Sequence, residues 1–333
     1  MEKIFEIKSP ARIHIGFLDL NFNSNRKFGS LGLTISDFFF RIRIEKSQNI
    51  EVVSNCLSIK KKTMKIIKFL SLEKSISNFK ITILSKIPLH SGLGSGTQLT
   101  LSLGYLISEF FNLNMNVNHI ANIFNRGVRS GIGIESFKKG GFNIDVGKLD
   151  GSPYPPLNIL NLKWPSDWKI LLIMDQNVTG VHGETELKEF RELKKSKHTY
   201  SNSNFKSLVM NIIPGIIEEN FIEFSIGLRE IQDNMSKFFY GNKNKFASPI
   251  IAKIFLNLKI NGINCFGQSS WGPTGFIFFE NAKKRNELLK YLENYINLNG
   301  IRGIKLFKVD GRNFGKKLIR KKVYDKKKYS SYD

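Results

Sequence analysis

Between Pro88 and Gln98 the chain reads Pro-Leu-His-Ser-Gly-Leu-Gly-Ser-Gly-Thr-Gln, with three glycines at alternate positions and hydroxyls at Ser95 and Thr97. Alternating glycines let a backbone turn tightly and approach a ligand with no Cβ in the way. A strand pattern precedes the segment (Phe79 to Lys86) and a helical pattern follows it (about Ser95 to Phe111), so the helix points its unpaired N–H groups back at the loop. The result is an anion seat, with about 0.3–2 kcal/mol from the helix dipole before the hydroxyls add hydrogen bonds. It suits a diphosphate or triphosphate, with Mg²⁺ bridging the oxygens. No Lys-Ser or Lys-Thr follows the last glycine, which excludes a Walker A loop, and the GxGxG spacing is not the GxGxxG of a dinucleotide site. A purely structural helix cap is the alternative reading.

Three further clusters carry chemistry. Arg126-Gly-Val-Arg129-Ser-Gly-Ile-Gly133 places two arginines three apart at an expected helix end, where they can clamp phosphate or carboxylate, or simply cap the helix. Asp145 follows in Gly140 to Gly147, flanked by apolar residues in a strand context, where a carboxylate needs a cation, a metal or loop donors beside it. Phe266-Gly-Gln268-Ser269-Ser270-Trp271-Gly-Pro-Thr-Gly275 sets polar side chains and a tryptophan in a turn between strands, which fits a pocket for a planar ligand or a packed structural turn. Near the N-terminus, Arg12, His14 and Gly16 fall on one face of a strand by period two and read as the lining of a cleft. His182, with Glu184 and Glu186 behind it, sits in an expected mobile loop, and no histidine has metal-ligand spacing.

The elements that must position these groups follow from periodicity. Ile4 to Lys8, Ala11 to Phe17 and Phe38 to Glu45 alternate as strands, and the Lys-rich stretch 60–74 has helical spacing. A second helix is expected over Val117 to Gly127. Ser-Pro-Tyr-Pro-Pro at 152–156 is a breaker cluster and the expected domain boundary. Beyond it, Trp168 to Asp175 reads as a buried strand, residues 184–196, 205–240, 249–260 and 281–296 as helices, Cys265 to Glu280 as a strand pair, and Ile304 to Val309 as a last strand. Strands and helices interleave in both halves, so the class is α+β with two domains, 1–155 and 156–315, and a basic tail over 316–333.

The chain has 333 residues, 41% hydrophobic, enough for a sizeable core, and its 51 Lys+Arg against 28 Asp+Glu leave +23. That surplus calls for anionic company. Lys316 to Lys328 alone carries a net +7 and reads as a solvated end. Cys56 and Cys265 form no CxxC, so neither a disulfide framework nor a structural zinc site is expected. No signal peptide or membrane span is visible, and the expectation is a soluble cytoplasmic protein with no membrane partner. No aromatic-basic RNA-binding pattern supports nucleic acid as partner. A homodimer is the base-rate expectation.

Together the clusters resemble the GHMP superfamily of small-molecule kinases, whose phosphate loop Pro-x-x-x-Gly-Leu-Gly-Ser-Ser-Ala is matched from Pro88 to Thr97. The match is closer to one non-kinase branch, the beta-ribofuranosylaminobenzene 5'-phosphate synthases. Ala11 to Gly16, Gly92 to Gln98, Arg126 to Gly133, Gly140 to Gly147 and Gln268 to Thr274 are similar to that family, in order, over about 260 residues. The resemblance implies a two-domain GHMP-kinase-like fold, with a ribosomal S5 domain 2-like N-terminal half and a ferredoxin-like C-terminal half. It also implies a decarboxylating ribosyl transfer in methanopterin biosynthesis. Phosphoribosyl pyrophosphate and 4-aminobenzoate (or 4-hydroxybenzoate) would give a C-riboside 5'-phosphate, CO₂ and pyrophosphate, with Mg²⁺ as cofactor. Asp145, which resembles the position of the kinases' catalytic Asp, is a catalytic candidate with Arg26 and His14, and Ser95 with Asp145 are the expected metal ligands. Arg12, Gly92, Leu93, Gly94, Ser95, Gly96, Thr97, Gln98, Arg126, Arg129, Ser269, Ser270 and Trp271 would bind substrate and phosphate. Gly96-Thr97-Gln98 and the Gln268–Trp271 turn depart from the kinases. An ATP-dependent GHMP kinase acting on a hydroxylated substrate is the alternative.

Overall fold

The computed structural model describes residues 2–19, 25–73, 76–180, 203–240 and 246–323. The expected helix over 184–196, the loop with His182, Glu184 and Glu186, and the end of the tail from 324 lie outside them. The elements run β1 (Glu2–Phe17), β2 (Arg26–Lys27), β3 (Ser30–Lys46), β4 (Glu51–Val53), α1 (Leu57–Glu73), β5 (Phe79–Ser85), α2 (Ser95–Phe111), α3 (Val117–Ile123), α4 (Ile132–Lys138), β6 (Phe142–Asp145), β7 (Lys148–Leu149), β8 (Asn158–Leu162) and β9 (Lys169–Asp175). There follow α5 (Ser203–Ser207), a π-helical turn (Leu208–Ile212), α6 (Ile213–Ile217), α7 (Phe221–Tyr240), α8 (Pro249–Ile260), β10 (Phe266–Gln268), β11 (Thr274–Phe279), α9 (Ala282–Leu298), β12 (Ile304–Asp310) and β13 (Lys317–Val323).

The first sheet is built on β1 and β3. Its order is β13-β1-β3-β5-β4, and β6 pairs with the start of β3 and carries β8. The alternation read as two short strands is one continuous strand β1, bulged between Pro10 and Arg12 and again between His14 and Gly16. A bulge breaks period two and re-aims side chains. It sends Gly16 against α7, where an added Cβ would sit 2.9 Å from Ile231 and 3.0 Å from Met235. The expectation that Gly16 shares a face with Arg12 and His14 fails for that reason. Helices α1 and α2 cover this sheet, α1 turning Ile59, Thr63, Ile66, Ile67 and Leu70 inward.

The second sheet, β10-β11-β9-β12, is antiparallel throughout. Both of its faces are covered, as the unbroken apolar run of β9 requires. Leu171 and Ile173 pack with α8 and α9, while Ile170 and Leu172 join the main core with Trp164, Trp168 and Phe224.

The breaker cluster at 152–156 does not divide the sheets. β8, beyond it, pairs with β6 of the first sheet, so the change of sheet falls between Leu162 and Lys169. The basic tail is corrected too: its first seven residues after 316 form β13, paired antiparallel with β1 from Lys8↔Lys317 to Glu2↔Val323. Leu318, Ile319 and Val323 are the apolar residues among four basic ones, so a charge count read as a loose end conceals a strand. Helix α3 ends at Ile123, earlier than expected, and α4, which periodicity did not show, follows Gly131. Among the described residues no helix is long and apolar enough to cross a membrane.

Deleting 317–333 leaves one edge of β1 without its seven-residue partner. Unfolding free energy is expected to fall by roughly 3 kcal/mol or more, at about 0.5–1.5 kcal/mol per lost hydrogen bond. A urea midpoint equal to that of the full chain would mark β13 as dispensable.

Candidate active site

The glycine loop is held from three sides. Gly92 and Gly94 both have φ of 82°, and Gly94 is the left-handed residue from which α2 starts. A Cβ on Gly92 would lie 2.3 Å from the Ser269 carbonyl oxygen, and one on Gly272 2.4 Å from the Gly92 nitrogen. Backbone thus packs on backbone between the loop and the 268–272 turn of the second sheet. The Gly92 carbonyl accepts from the Arg12 Nη1 and, at 2.8 Å, from the Ser269 hydroxyl. The same hydroxyl accepts from the His14 backbone N–H at 3.0 Å, and the Ser270 N–H donates to the His14 carbonyl at 3.2 Å. The Arg12 N–H donates to the Leu93 carbonyl at 3.2 Å, and the Gly180 N–H to the His90 carbonyl at 3.0 Å.

Over this loop lies a cavity of about 580 Å³, within the range of small-molecule sites. Gly92, Gly94, Ser95, Gly96 and Thr97 line it, with Arg12, Arg126, Ser270 and Trp271, so most of the expected phosphate-binding set is brought together. The arginines belong to the loop side. An added Cβ on Gly94 would meet the Arg12 side chain at 3.3 Å, and one on Gly96 the Arg126 Nη1 at 3.8 Å. The Arg126 Nε is buried with no hydrogen-bond partner, and burial lowers the pKa of this guanidinium. Helix α1 supplies Lys62, Lys65 and Ile66, which sequence reasoning missed. The Lys-rich stretch reads only as a helix, and helical spacing alone does not say which flank meets a loop far along the chain.

Other expected residues are placed elsewhere. Leu93 is fully buried and supports the loop from below. Gln98 is fully buried and donates from Nε2 to the Gly133 carbonyl at 2.7 Å, bracing α2 against α4. Ser269 is fully buried, its hydroxyl occupied as described. Trp271 lines the cavity while only 4% exposed, so it forms wall rather than an open stacking platform. Arg126 and Arg129 do not share a helix face, because both follow the end of α3; Arg129 acts on His14, not among the lining residues. His14 is buried, its ring edge-on to Phe17 at 4.7 Å, with neither ring nitrogen hydrogen-bonded. Burial first, then Arg12 and Arg129, holds its pKa well below the usual 6.5, so the imidazole is neutral. Arg26 pairs in β2 with β7, its Nη1 3.3 Å from the Gly147 carbonyl, away from the cavity lining.

Asp145 is fully buried and outside the lining. Its Oδ2 accepts from the Gly131 N–H at 2.9 Å and from the Ser30 hydroxyl, and its Oδ1 from the Gly147 N–H at 2.9 Å. Ser95 and Asp145 therefore do not fit a shared magnesium site: one faces the cavity, while the other lies behind it with both oxygens already engaged. Among the described residues no group of three acidic, histidine or cysteine side chains is arranged to hold a metal. Asp145 instead joins β3, β6 and the start of α4.

The fold and this site define a class. Residues 59–144 match the family model described as the GHMP kinases N terminal domain. The whole fold is similar to mevalonate diphosphate decarboxylase from Staphylococcus aureus (TM-score 0.65, 13% identity, 96% of this chain and 98% of that one). It is similar also to a putative homoserine kinase from Listeria monocytogenes (TM-score 0.62, 16% identity, 95% of this chain and 100% of that one). This is the GHMP-kinase-like α+β fold.

Within that class the chain is 31% identical over 301 residues to the beta-ribofuranosylphenol 5'-phosphate synthase of Methanocaldococcus jannaschii, covering 82% of this chain and 88% of that one. It is 28% identical over 292 residues to the synthase of the same name from Methanothermobacter thermautotrophicus, covering 80% and 86%. The chain belongs to the beta-ribofuranosylphenol 5'-phosphate synthase family.

Two outcomes follow. Gly92→Ala forces a Cβ into the Ser269 carbonyl at a left-handed φ, and a stability loss of about 2 kcal/mol or more is expected in urea unfolding. Burial pushes the Asp145 carboxyl from 3.8 up to about 6, against the pull of its Ser30, Gly147 and Gly131 hydrogen bonds. The folded state therefore holds this proton more tightly than the unfolded chain. The associated stability, about 3 kcal/mol, is present below pH 3.8 and is lost as pH rises through about 6. Asp145→Asn should lack that component, and should cost about 1–3 kcal/mol by turning an amide NH₂ on a backbone N–H. Stability curves from pH 4 to 8 on both proteins check it; parallel curves would refute the assignment.

Proposed function

We propose that the protein is a decarboxylating ribosyltransferase that joins phosphoribosyl pyrophosphate to 4-hydroxybenzoate or 4-aminobenzoate. The products are a C-riboside 5'-phosphate, CO₂ and pyrophosphate, within methanopterin biosynthesis. The observation that carries this reading is the meeting of the Gly92–Thr97 loop, Arg12, Arg126 and the Ser270–Trp271 turn around one cavity, in a chain of this family.

The chemistry follows from the charges. The bond from C1 of the ribose to the diphosphate oxygen breaks and its electron pair leaves with pyrophosphate. The α2 N-terminus, the loop N–H groups, Arg126 and Arg12 meet that developing charge in a site walled by Leu99 and Trp271. What remains is an oxocarbenium-like sugar. The ring carbon bearing the carboxylate donates its π pair to C1, the bond to the carboxylate breaks, and that pair restores aromaticity as CO₂ departs. No hydroxyl of the sugar needs a base. The relatives' product is a beta-riboside. Formed from an α-diphosphate, it requires attack from the face opposite the leaving group, which puts the arene across the ribose from the glycine loop. Asp145, behind the cavity, acts by positioning the start of α4.

Carboxyl-labelled 4-hydroxybenzoate and 4-aminobenzoate test the reading. Release of labelled CO₂ is expected only with phosphoribosyl pyrophosphate present, abolished by Gly94→Asp and slowed about 10²-fold in kcat/KM by Arg126→Gln. No release with either benzoate, together with ATP consumption on an alcohol, would return the chain to the kinases.

A further inference from the structure

Helix α1 packs on α2 through Ile59, Thr63, Ile66, Ile67 and Leu70, a stripe of helical period. Lys62 and Lys65, three apart, flank that stripe on the side that meets the cavity, with Ile66 beside them. Lys62 is half-buried, whereas Lys65, like Lys60, Lys61 and Lys68 of the same helix, is exposed and reaches the cavity rim from the surface. Neither Lys62 nor Lys65 makes an ion pair among the described residues. No acidic side chain is found among the described residues that line the cavity, yet it gathers Arg12, Arg126, Lys62 and Lys65. Four cations around one small volume repel one another unless anions lie between them. The two arginines sit against Gly94 and Gly96, on the loop side of the cavity. The two lysines come from a different element and are left for a second anion.

We propose that Lys62 and Lys65 form a second anion subsite, which takes the 5'-phosphate of the ribosyl donor while the glycine loop takes its diphosphate. The inference rests on the ribosyl-transfer reading and adds to it the part of α1 in selecting a ligand with two anionic ends. A donor without the 5'-phosphate leaves the lysine pair facing itself, so the subsite makes the phosphorylated sugar the preferred one.

The two halves of the donor serve as separate probes. Binding of ribose 5-phosphate and of inorganic pyrophosphate is measured by calorimetry on the wild-type chain and on the Lys62→Gln/Lys65→Gln double variant. Glutamine keeps helix propensity, and an unchanged melting temperature confirms the fold. Ribose 5-phosphate should bind at least tenfold more weakly to the variant, pyrophosphate within twofold of wild type, and Lys62→Arg/Lys65→Arg should restore the first. In the CO₂-release assay KM for the donor should rise by at least tenfold, with a much smaller change in kcat. Equal weakening of both probes, a loss confined to pyrophosphate, no change in either, or a wild-type chain that does not bind ribose 5-phosphate would each overturn the subsite. The two readings fail separately. CO₂ release with lysine-independent ribose 5-phosphate binding removes the subsite alone. Lysine-dependent binding with no CO₂ release removes the ribosyl transfer and leaves a cavity for a two-ended anion.

Discussion

The structure depends on the absence of two side chains. Gly92 and Gly272 bring the glycine loop of the first half and the 268–272 turn of the second into direct backbone contact, with no room for a Cβ on either. Because they meet at that distance, one hydroxyl, that of Ser269, can bridge the Gly92 carbonyl and the His14 N–H. β1, the phosphate loop and the second sheet are thereby tied at one point. The carbonyl of Gly92 is held by both Arg12 and Ser269, which fixes the loop's conformation. A loop that binds an anion through its backbone must be rigid before the ligand arrives, since each dihedral left free would be ordered at the expense of binding.

Charge is segregated around that point. Arginines and lysines line the cavity, and the Asp145 carboxylate, outside that lining, is buried on three protein donors. An acid in the cavity would cancel the field that recognises phosphate. Buried on backbone N–H groups, it instead fixes the segment from Ser130 to Gly131 that leads into α4, and α4 in turn holds Gln98 at the root of α2. His14 shows the complementary case: a buried imidazole between two arginines is kept neutral, so it adds no further positive charge beneath the loop.

Some of this was legible from residue order. The Pro88–Gln98 motif between a strand and a helix located the glycine loop at the start of α2, because glycine at a left-handed position and a helix start are local facts. The apolar run of β9 announced a strand covered on both faces, and the ordered motifs marked the family. Asp145 was visible as a costly buried carboxylate, although its partners were not. Less was legible where a local period was interrupted or where charge masked a pattern: the bulges in β1 displaced Gly16, and the lysines of 317–323 hid a strand that completes the first sheet.

The sequence by itself determined most of the elements and the glycine loop, since these rest on backbone conformation and on contacts within a few residues. Only the tertiary structure decided which side chains face the cavity. Gln98 and Ser269, polar and adjacent to the loop, are turned into the core as braces, whereas Lys62 and Lys65, remote in sequence and ordinary in pattern, are brought to the cavity wall by the packing of α1 on α2. The physical reason is that a polar side chain next to a site has two ways to satisfy its hydrogen bonds. The choice is made by whatever the fold places opposite, and neither spacing nor composition encodes that neighbour.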